Sequence, residues 1–265
     1  MTKILDGKTL SLLIAEKLKV RISRLKQKPK IVIIQVGNKD ESNAYIRNKL
    51  KFAEKIGAVA EHVRLAETVS EMSLLSHIEK LNRDKSVHGI IVQLPLPKQL
   101  DERVISQAVL PEKAVDGSAF FLPATTRGIL TLLDHYKIPI AGKKAVVVGR
   151  SELVGKPTAL ALLNRDATVT VCHSKTKNIA KETKQADILV VAAGKPKLIT
   201  AQHISKHQVV IDVGINMVNG KMVGDVDFEK VSKIVSAISP VPGGVGPMTV
   251  ASLFENLLDA YALRK

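Results

Sequence analysis

The sequence has one cysteine, Cys172, and no tryptophan among its 265 residues. A lone cysteine excludes a disulfide within the chain and gives no cysteine spacing for a zinc site, and we identify no metal site. No apolar run approaches the roughly 18 residues of a membrane-spanning helix, and the N-terminal residues lack the apolar stretch of a signal peptide. These absences predict a cytoplasmic protein without a membrane segment.

Acidic and aromatic residues are also few. The chain has 25 aspartates and glutamates against 40 lysines and arginines, a net charge of +15, and only 3% aromatic residues. A charge of this size can indicate nucleic-acid binding, but the basic residues are scattered and a base-stacking surface needs aromatic rings. We therefore expect a solvated lysine-rich surface that steers anionic small molecules, and no nucleic-acid partner.

Apolar and amphipathic segments alternate along the chain. β-branched runs at 30–36 and 87–94 predict buried strands, and 42–56 predicts a helix that Gly57 ends. Strands alternating with helices are typical of a parallel sheet with crossover helices. The remaining predicted strands are 59–65, 143–149, 167–172, 188–192, 209–213 and 234–238, and the remaining predicted helices include 10–25, 69–82 and 154–164.

The irregular segment 110–128 marks a domain boundary, and the order of elements after it is that of a dinucleotide-binding fold. We predict two α/β domains. The first is a catalytic domain with a parallel sheet, at 1–122. The second is a Rossmann-type dinucleotide-binding domain at 123–246, after which a C-terminal helix at 247–265 packs back on the first domain.

The first strand of the second domain ends in Gly149, and a helix follows. This turn is not a G-x-G-x-x-G motif, but Gly149 permits a tight turn and Gly155 permits close approach of the helix. We expect the start of that helix to offer free N–H groups to an anion. An ordinary strand-to-helix turn is the alternative.

The residues at the end of the next strand indicate whether a dinucleotide bound here would be NAD or NADP. An NAD site usually has an acidic residue there, which binds the ribose 2′-hydroxyl, whereas this chain has His173, Ser174 and Lys175. Together with Arg150 they suit a 2′-phosphate, so the predicted cofactor is NADP, unless these are solvated loop residues. The other predicted cofactor-binding residues are Ser151, Val154, Ala193, Gly194, Gly214, Ile215 and Asn216.

Four residues of the first domain suggest catalysis. Tyr45 and Lys49 lie one helical turn apart on one face, and a lysine becomes a base near neutrality only if its pKa falls by roughly 3 units. Gln93 ends a buried strand and needs a hydrogen-bond partner, which is either that lysine or loop backbone. Asp116 can accept paired N–H bonds from an amidine-like heterocycle edge, or can serve as a turn acceptor before Gly117.

These motifs occur together, and in this order, in one family. Besides the Tyr45 and Lys49 pair, they are residues 89–97, 115–117, 149–151, 154–157, 173–176, 212–216, 224–227 and 240–249. The chain resembles the bifunctional methylenetetrahydrofolate dehydrogenase/methenyltetrahydrofolate cyclohydrolase family over nearly its whole length. The resemblance implies NADP-dependent oxidation of 5,10-methylenetetrahydrofolate to the methenyl cation and hydrolysis of that cation to 10-formyltetrahydrofolate.

The resemblance also implies residue roles. Lys49 would be the acid/base group of hydrolysis, Gln93 would tune it, and Tyr45 would pack on the folate. Asp116 would hold the pterin, and Arg150 and Ser174 would favour NADP. The other implied substrate contacts are Leu94, Pro95, Pro242, Gly243 and Gly244. A cytosolic homodimer that pairs through its nucleotide domains is implied as well, with folate and NADP in a cleft between the domains.

The chain departs from the family pattern after Gly117. A connecting segment is missing from the loop at 117–124, and Ala124 and Thr126 replace the usual cysteine and proline. One alternative is therefore a dehydrogenase with weak or lost cyclohydrolase activity. A basic nucleic-acid-binding or scaffold protein without catalysis is the alternative of another class, although the presence of all four catalytic candidates argues against it.

Overall fold

The computed structural model describes residues 2–263, apart from the side chain of Glu41. In chain order the strands are β1 (Lys3–Ile4), β2 (Lys30–Val36), β3 (Val59–Leu65), β4 (Gly89–Val92), β5 (Lys144–Val148), β6 (Thr168–Cys172), β7 (Ile188–Val191), β8 (Val209–Asp212), β9 (Asn216–Val218), β10 (Lys221–Val223) and β11 (Ala237–Ile238). The helices are α1 (Gly7–Ser23), α2 (Asp40–Ile56), α3 (Glu71–Arg83), α4 (Glu102–Ala108), α5 (Ala124–His135), α6 (Gly155–Leu163), α7 (Ile179–Thr183), α8 (Phe228–Val231) and α9 (Val245–Ala262), with a 3₁₀ turn at Ala201–His203.

The chain forms two compact units, each built from two separate stretches. One unit comprises residues up to Ser11 and Thr125–Thr249, and the other comprises Leu12–Ala124 and the residues from Val250 onward. The first contains a parallel sheet in the order β1-β11-β8-β7-β5-β6, and the second contains the parallel sheet β3-β2-β4. We call them the six-stranded unit and the three-stranded unit. This architecture confirms the predicted fold class of two α/β domains.

Burial explains the central strands of both units. Every residue of β2 after Lys30 is buried, as expected for a parallel strand covered on both faces. Its side chains join a core with Leu74 and Ile78 of α3. In the six-stranded unit, Val146 and Leu189 belong to the corresponding core. Each such aliphatic side chain contributes roughly 1.5–3 kcal/mol when fully buried.

The two units differ from the predicted domains mainly at the N-terminus. Residues 2–11 group with the six-stranded unit because β1 pairs with β11 at the edge of its sheet. Both residues of β1 are exposed, so no hydrophobic pattern marks this strand in the sequence. The last two residues of the predicted segment 247–265 lie outside the described part of the chain.

The second half of α9 belongs to the three-stranded unit. The ring of Phe254 stacks on Phe52 of α2 with centroids 5.3 Å apart. The side chain of Asn256 is fully buried and donates to the carbonyls of Val115 and Leu122, at 2.8 and 2.9 Å.

Within residues 2–263, no helix has both the length and the apolar character needed to cross a membrane.

Candidate active site

Helix α2 places Lys49 inside the three-stranded unit. Gly57 ends this helix in a left-handed conformation, as predicted, and donates to the carbonyls of Ala53 and Glu54. The Lys49 side chain is buried, with 8% exposure. Its Nζ donates a hydrogen bond to Oε1 of Gln93 at 2.9 Å. The structure thus brings together two predicted residues, Lys49 on α2 and Gln93 directly after β4.

Both roles considered for Gln93 occur at once. Its backbone N–H donates to Ile34, which extends the ladder between β4 and β2 by one residue. Its side-chain Nε2 donates to the carbonyl of Leu94 at 2.8 Å, and its Oε1 accepts from Lys49. Since the amide nitrogen is held by the loop, the oxygen is the atom that faces the lysine.

Burial lowers the pKa of the Lys49 amine, while the charge of Asp116 opposes this by raising it. An ammonium group loses hydration when it is buried, and the neutral amide oxygen of Gln93 replaces only part of it. We therefore expect a larger neutral fraction of this amine than of a surface lysine. A neutral lysine can accept a proton from water, which is the chemistry that hydrolysis requires.

Asp116 is close enough to Lys49 for their charges to interact. Desolvation raises the pKa of the Asp116 carboxyl and the charge of Lys49 lowers it. The residue is nevertheless exposed to solvent. An accessible carboxylate at this position is able to accept paired N–H donors from a ligand.

Tyr45 lies one turn before Lys49 on α2 and is 37% exposed, so part of its ring is open to a ligand. Leu94 and Pro95, which follow Gln93, are half-buried and exposed respectively. These three side chains are therefore accessible while Lys49 is buried. That is the distribution expected where an apolar ligand covers a buried reactive group.

The short loop after Asp116 is held at both ends. Asn256 donates to Val115, just before Asp116, and to Leu122, just before Pro123. Within the loop, the N–H of Ser118 donates to Phe121 at 2.9 Å. Sequence reasoning missed Asn256. Its signal was an amide on the same helical face as the apolar residues Leu253 and Ala260, which implies a buried hydrogen-bonding role.

The predicted substrate residues Pro242, Gly243 and Gly244 belong to the six-stranded unit, where they lie against the start of α1. The carbonyl of Gly243 accepts from the N–H of Lys8 at 2.8 Å. A Cβ on Gly7 would lie 1.9 Å from the carbonyl oxygen of Gly244. A Cβ on Gly244 would lie 2.5 Å from the carbonyl oxygen of Pro240, so each of these two positions requires glycine because of its own close contact.

A cavity of about 260 Å³ lies at the carboxyl ends of the strands of the six-stranded unit. Its lining includes the predicted cofactor residues Gly149, Arg150, Ser151, His173, Ser174 and Ala193, together with Lys195. Carboxyl ends of parallel strands are where dinucleotides bind in this class of sheet. Lys195 is a further cation that sequence reasoning did not select, although it directly follows the predicted Gly194.

Two glycines shape the wall of this cavity. Gly149 has φ +127°, and a Cβ there would lie 2.1 Å from the carbonyl oxygen of Ala192. A Cβ on Gly155 would lie 2.4 Å from the carbonyl oxygen of Gly149. The strand β5, the helix α6 and the end of β7 therefore approach as closely as predicted from these two positions.

The expectation of free N–H groups at the start of α6 is wrong. The N–H of Gly155 donates to Oγ of Ser151 at 3.2 Å, and the N–H of Lys156 donates to the carbonyl of Ser151 at 3.1 Å. Pro157 has no N–H, and Thr158 donates to Val154. The N–H groups of Gly155, Lys156 and Thr158 are therefore satisfied within the chain, and side chains supply the cationic groups for an anion.

The residues around the cavity fit a phosphorylated dinucleotide. Small residues open the space at the end of β5, and Arg150, His173 and Lys195 surround it with basic groups. The N–H of Lys175 donates to the ring of His173 at 3.2 Å, which orders the loop after β6. No carboxylate is part of the cavity lining within residues 2–263, so nothing there repels a 2′-phosphate.

The remaining predicted cofactor residues are placed around the same strand ends but outside the cavity lining. Gly194 follows Ala193 with φ +62°. Gly214, Ile215 and Asn216 follow β8, and the side chain of Ile215 is 39% exposed. Val154 lies at the start of α6. Their contacts with a cofactor stay predictions.

A unit with a buried amine beside a glutamine, together with a Rossmann-type unit carrying a basic cavity, defines a two-domain NAD(P)-dependent α/β enzyme. A family model for the tetrahydrofolate dehydrogenase/cyclohydrolase catalytic domain matches residues 5–116, and one for the NAD(P)-binding domain of the same group matches 123–265. The chain belongs to the tetrahydrofolate dehydrogenase/cyclohydrolase family. This confirms the family predicted from the sequence.

Individual relatives agree with this assignment. The bifunctional protein FolD of Exiguobacterium sibiricum is 49% identical over 275 residues, covering 98% of this chain and 99% of that protein. The crystal structure of the bifunctional FolD enzyme from Campylobacter jejuni superposes with a TM-score of 0.98 at 42% identity, covering 100% of both chains. A Trypanosoma brucei enzyme complexed with NADP cofactor and inhibitor gives 0.94 at 33% identity, covering 99% and 98%.

The matches also bear on the shortened loop and on the alternative functions. The alignment with the Exiguobacterium protein spans 275 positions, more than the 265 residues of this chain, so the relative carries residues that this chain lacks. Residues 117–122 fall between the two family matches. Neither a dehydrogenase without hydrolysis nor a scaffold protein is favoured by these relatives.

Proposed function

We propose that the protein oxidises 5,10-methylenetetrahydrofolate to 5,10-methenyltetrahydrofolate with NADP, and hydrolyses the product to 10-formyltetrahydrofolate. The observation that carries the hydrolytic step is the buried Lys49 amine held 2.9 Å from the Gln93 oxygen. Family membership supports both steps, and the basic cavity of the six-stranded unit supports NADP as the dinucleotide.

In hydrolysis, Lys49 acts on water. The water oxygen attacks the methenyl carbon, and the neutral amine takes one proton from it. The bond between this carbon and N5 then breaks, and the lysine returns that proton to N5 while the second water proton goes to solvent. The substrate cation itself helps to keep the amine neutral, because a nearby positive charge disfavours the ammonium form.

The neighbouring residues position the folate and the amine. Gln93 orients the Lys49 amine through a neutral oxygen. Asp116 accepts N–H bonds from the amidine-like edge of the pterin, and Tyr45, Leu94 and Pro95 cover its apolar faces. Orientation of this kind supplies much of the rate enhancement in reactions between two bound partners.

The six-stranded unit holds NADP. Arg150, His173 and Ser174 bind the 2′-phosphate by charge and hydrogen bonds, and Gly149 lets the backbone approach the dinucleotide. When bound, NADP supplies the oxidising power by accepting a hydride from the substrate methylene group. We propose these separate roles for the predicted domains 123–246 and 1–122. We also propose a cytoplasmic homodimer, whose dimeric state is tested by light scattering of the purified protein.

Two separate assays test the proposed function. The first follows methenyltetrahydrofolate formation from the methylene compound with NADP, and the second follows hydrolysis of added methenyltetrahydrofolate without nucleotide. Both rates should exceed the uncatalysed rates. A protein that forms the methenyl compound without hydrolysing it would contradict the hydrolytic half of the proposal.

A further inference from the structure

A fully buried carboxylate, Asp225, lies behind the nucleotide cavity. Its side chain is 0% exposed and accepts three successive backbone N–H groups, from Ala193 at 2.6 Å and from Gly194 and Lys195 at 2.8 Å. It also accepts from Nδ2 of Asn216 at 2.9 Å. A carboxylate has about four acceptor positions, so this one is fully used.

The Asp225 backbone is itself fixed by a second buried carboxylate. Asp212, at the end of β8, accepts the N–H groups of Gly214, Asp225 and Val226, each at 3.0 Å. A Cβ on Gly224 would lie 1.8 Å from Oδ2 of Asp212. The two carboxylates therefore connect the loop after β7 with the loop after β8.

The loop after β7 is the part of this network that reaches the cavity. Ala193 and Lys195 line the cavity, and Asp225 does not. Three consecutive N–H groups point away from the cavity to one carboxylate, so Gly194 adopts a left-handed φ of +62°. Without Asp225 these donors would lose charged hydrogen bonds, and the loop would be free to turn.

We infer that Asp225 is a positioning residue for dinucleotide binding, acting through loop 193–195 without touching the ligand. The inference rests on the proposed function for the identity of the dinucleotide. It assigns to Asp225 an effect on NADP affinity and none on the Lys49 chemistry, which belongs to the other compact unit.

The variant D225N tests this. Asparagine keeps the size and one oxygen, but its NH₂ group would face the N–H of Lys195 and the amide of Asn216. We expect the Kd for NADP, measured directly by calorimetry, to rise about tenfold or more. The KM for NADP should rise more than kcat falls, and nucleotide-free hydrolysis should stay within about twofold of wild type.

The matched control is D227N, two residues along the same segment. Asp227 is also buried, with 6% exposure, but its carboxylate pairs with Lys230 at 3.2 Å and its backbone N–H with Ile199. We expect NADP affinity to be unchanged in this variant. Thermal unfolding shows whether D225N is folded. If it is not, D225E provides a second test, because glutamate keeps the negative charge but displaces it.

An unchanged Kd for NADP in a folded D225N or D225E protein would overturn the inference. So would an equal loss of nucleotide-free hydrolysis, or the same loss of affinity in D227N, because either result indicates a general structural effect. If the wild-type protein binds NADP but transforms no folate, the proposed function fails while the calorimetric test of Asp225 still decides the inference.

Discussion

The amine of Lys49 donates to the side-chain oxygen of Gln93 at 2.9 Å, and that oxygen carries no charge. A neutral acceptor orients the amine without restoring the electrostatic support that an ammonium group needs. Burial lowers the lysine pKa, and the Asp116 charge raises it in opposition. In the proposed mechanism, the balance between these groups sets the pH at which hydrolysis begins.

Replacing Lys49 by methionine should abolish hydrolysis of methenyltetrahydrofolate, with a loss of at least about a hundredfold. Methionine is similar in length and apolar, so it fits the buried position without a base. NADP affinity should not change. The control K51M alters an exposed lysine of the same helix and should retain the wild-type rate, whereas full hydrolysis by K49M would refute the assigned role.

Replacing Gln93 by glutamate should keep Lys49 protonated, because a carboxylate beside the amine raises its pKa. We expect hydrolysis at pH 7 to fall about tenfold or more, with the pH profile displaced to higher pH. Q93L removes the acceptor without adding charge. Its rate should fall without that displacement, so identical pH profiles for the two variants would contradict the explanation.

Replacing Arg150 by alanine should weaken NADP about tenfold or more and NAD much less, since the guanidinium is assigned to the 2′-phosphate. Calorimetric titration with both dinucleotides measures the difference. The control K156A changes an exposed lysine outside the cavity lining and should affect neither. Equal weakening of both dinucleotides in R150A would remove the basis for 2′-phosphate recognition.

Asp212 should make the stability of the six-stranded unit depend on pH. Burial raises its pKa from 3.8 to about 7, against the three N–H bonds that lower it, and the neighbouring Asp225 adds to the rise. The folded protein therefore holds a proton that the unfolded chain has released between these values. Its contribution is fully present below about pH 4 and is lost as the pH rises through about 7.

The variant D212N removes this titration. Relative to wild type, its free energy of unfolding should increase by a few kcal/mol, as an order of magnitude, between pH 4 and pH 7. Urea unfolding at several pH values measures the difference. A D212N profile parallel to wild type would show that Asp212 does not titrate in this range.

The central strands of both sheets were predictable because buried parallel strands have nearly continuous β-branched runs, whereas the exposed edge strand β1 was missed. Residues 30–36 and 59–65 were predicted with the bounds that β2 and β3 have. Helix α4, helix α5 and the β9–β10 hairpin were missed. The exposed residues of the hairpin form a short antiparallel pair whose formation depends on local turn geometry instead of an apolar pattern.

For the candidate site, residue types were predictable, but the choice between alternative partners was not. The sequence placed Gln93 after a buried strand and offered Lys49 or loop backbone as its partner, whereas the packing of α2 lets both hydrogen bonds form. The start of α6 shows the opposite case. Its glycines indicated the turn correctly. The hydrogen bond from the Gly155 N–H to the Ser151 hydroxyl depends on the rotamer of one side chain, and the sequence pattern does not show that rotamer.

Each compact unit is assembled from two stretches of chain, with crossings after Ser11, Ala124 and Thr249. No single cut separates the two units, because every fragment that contains both segments of one unit also contains a long stretch of the other. Neither half is thus encoded as an uninterrupted block of gene. Neither unit alone can therefore be joined to another protein by a simple end-to-end fusion. Such a fusion would have to include the whole chain, or would need a circularly permuted form of it.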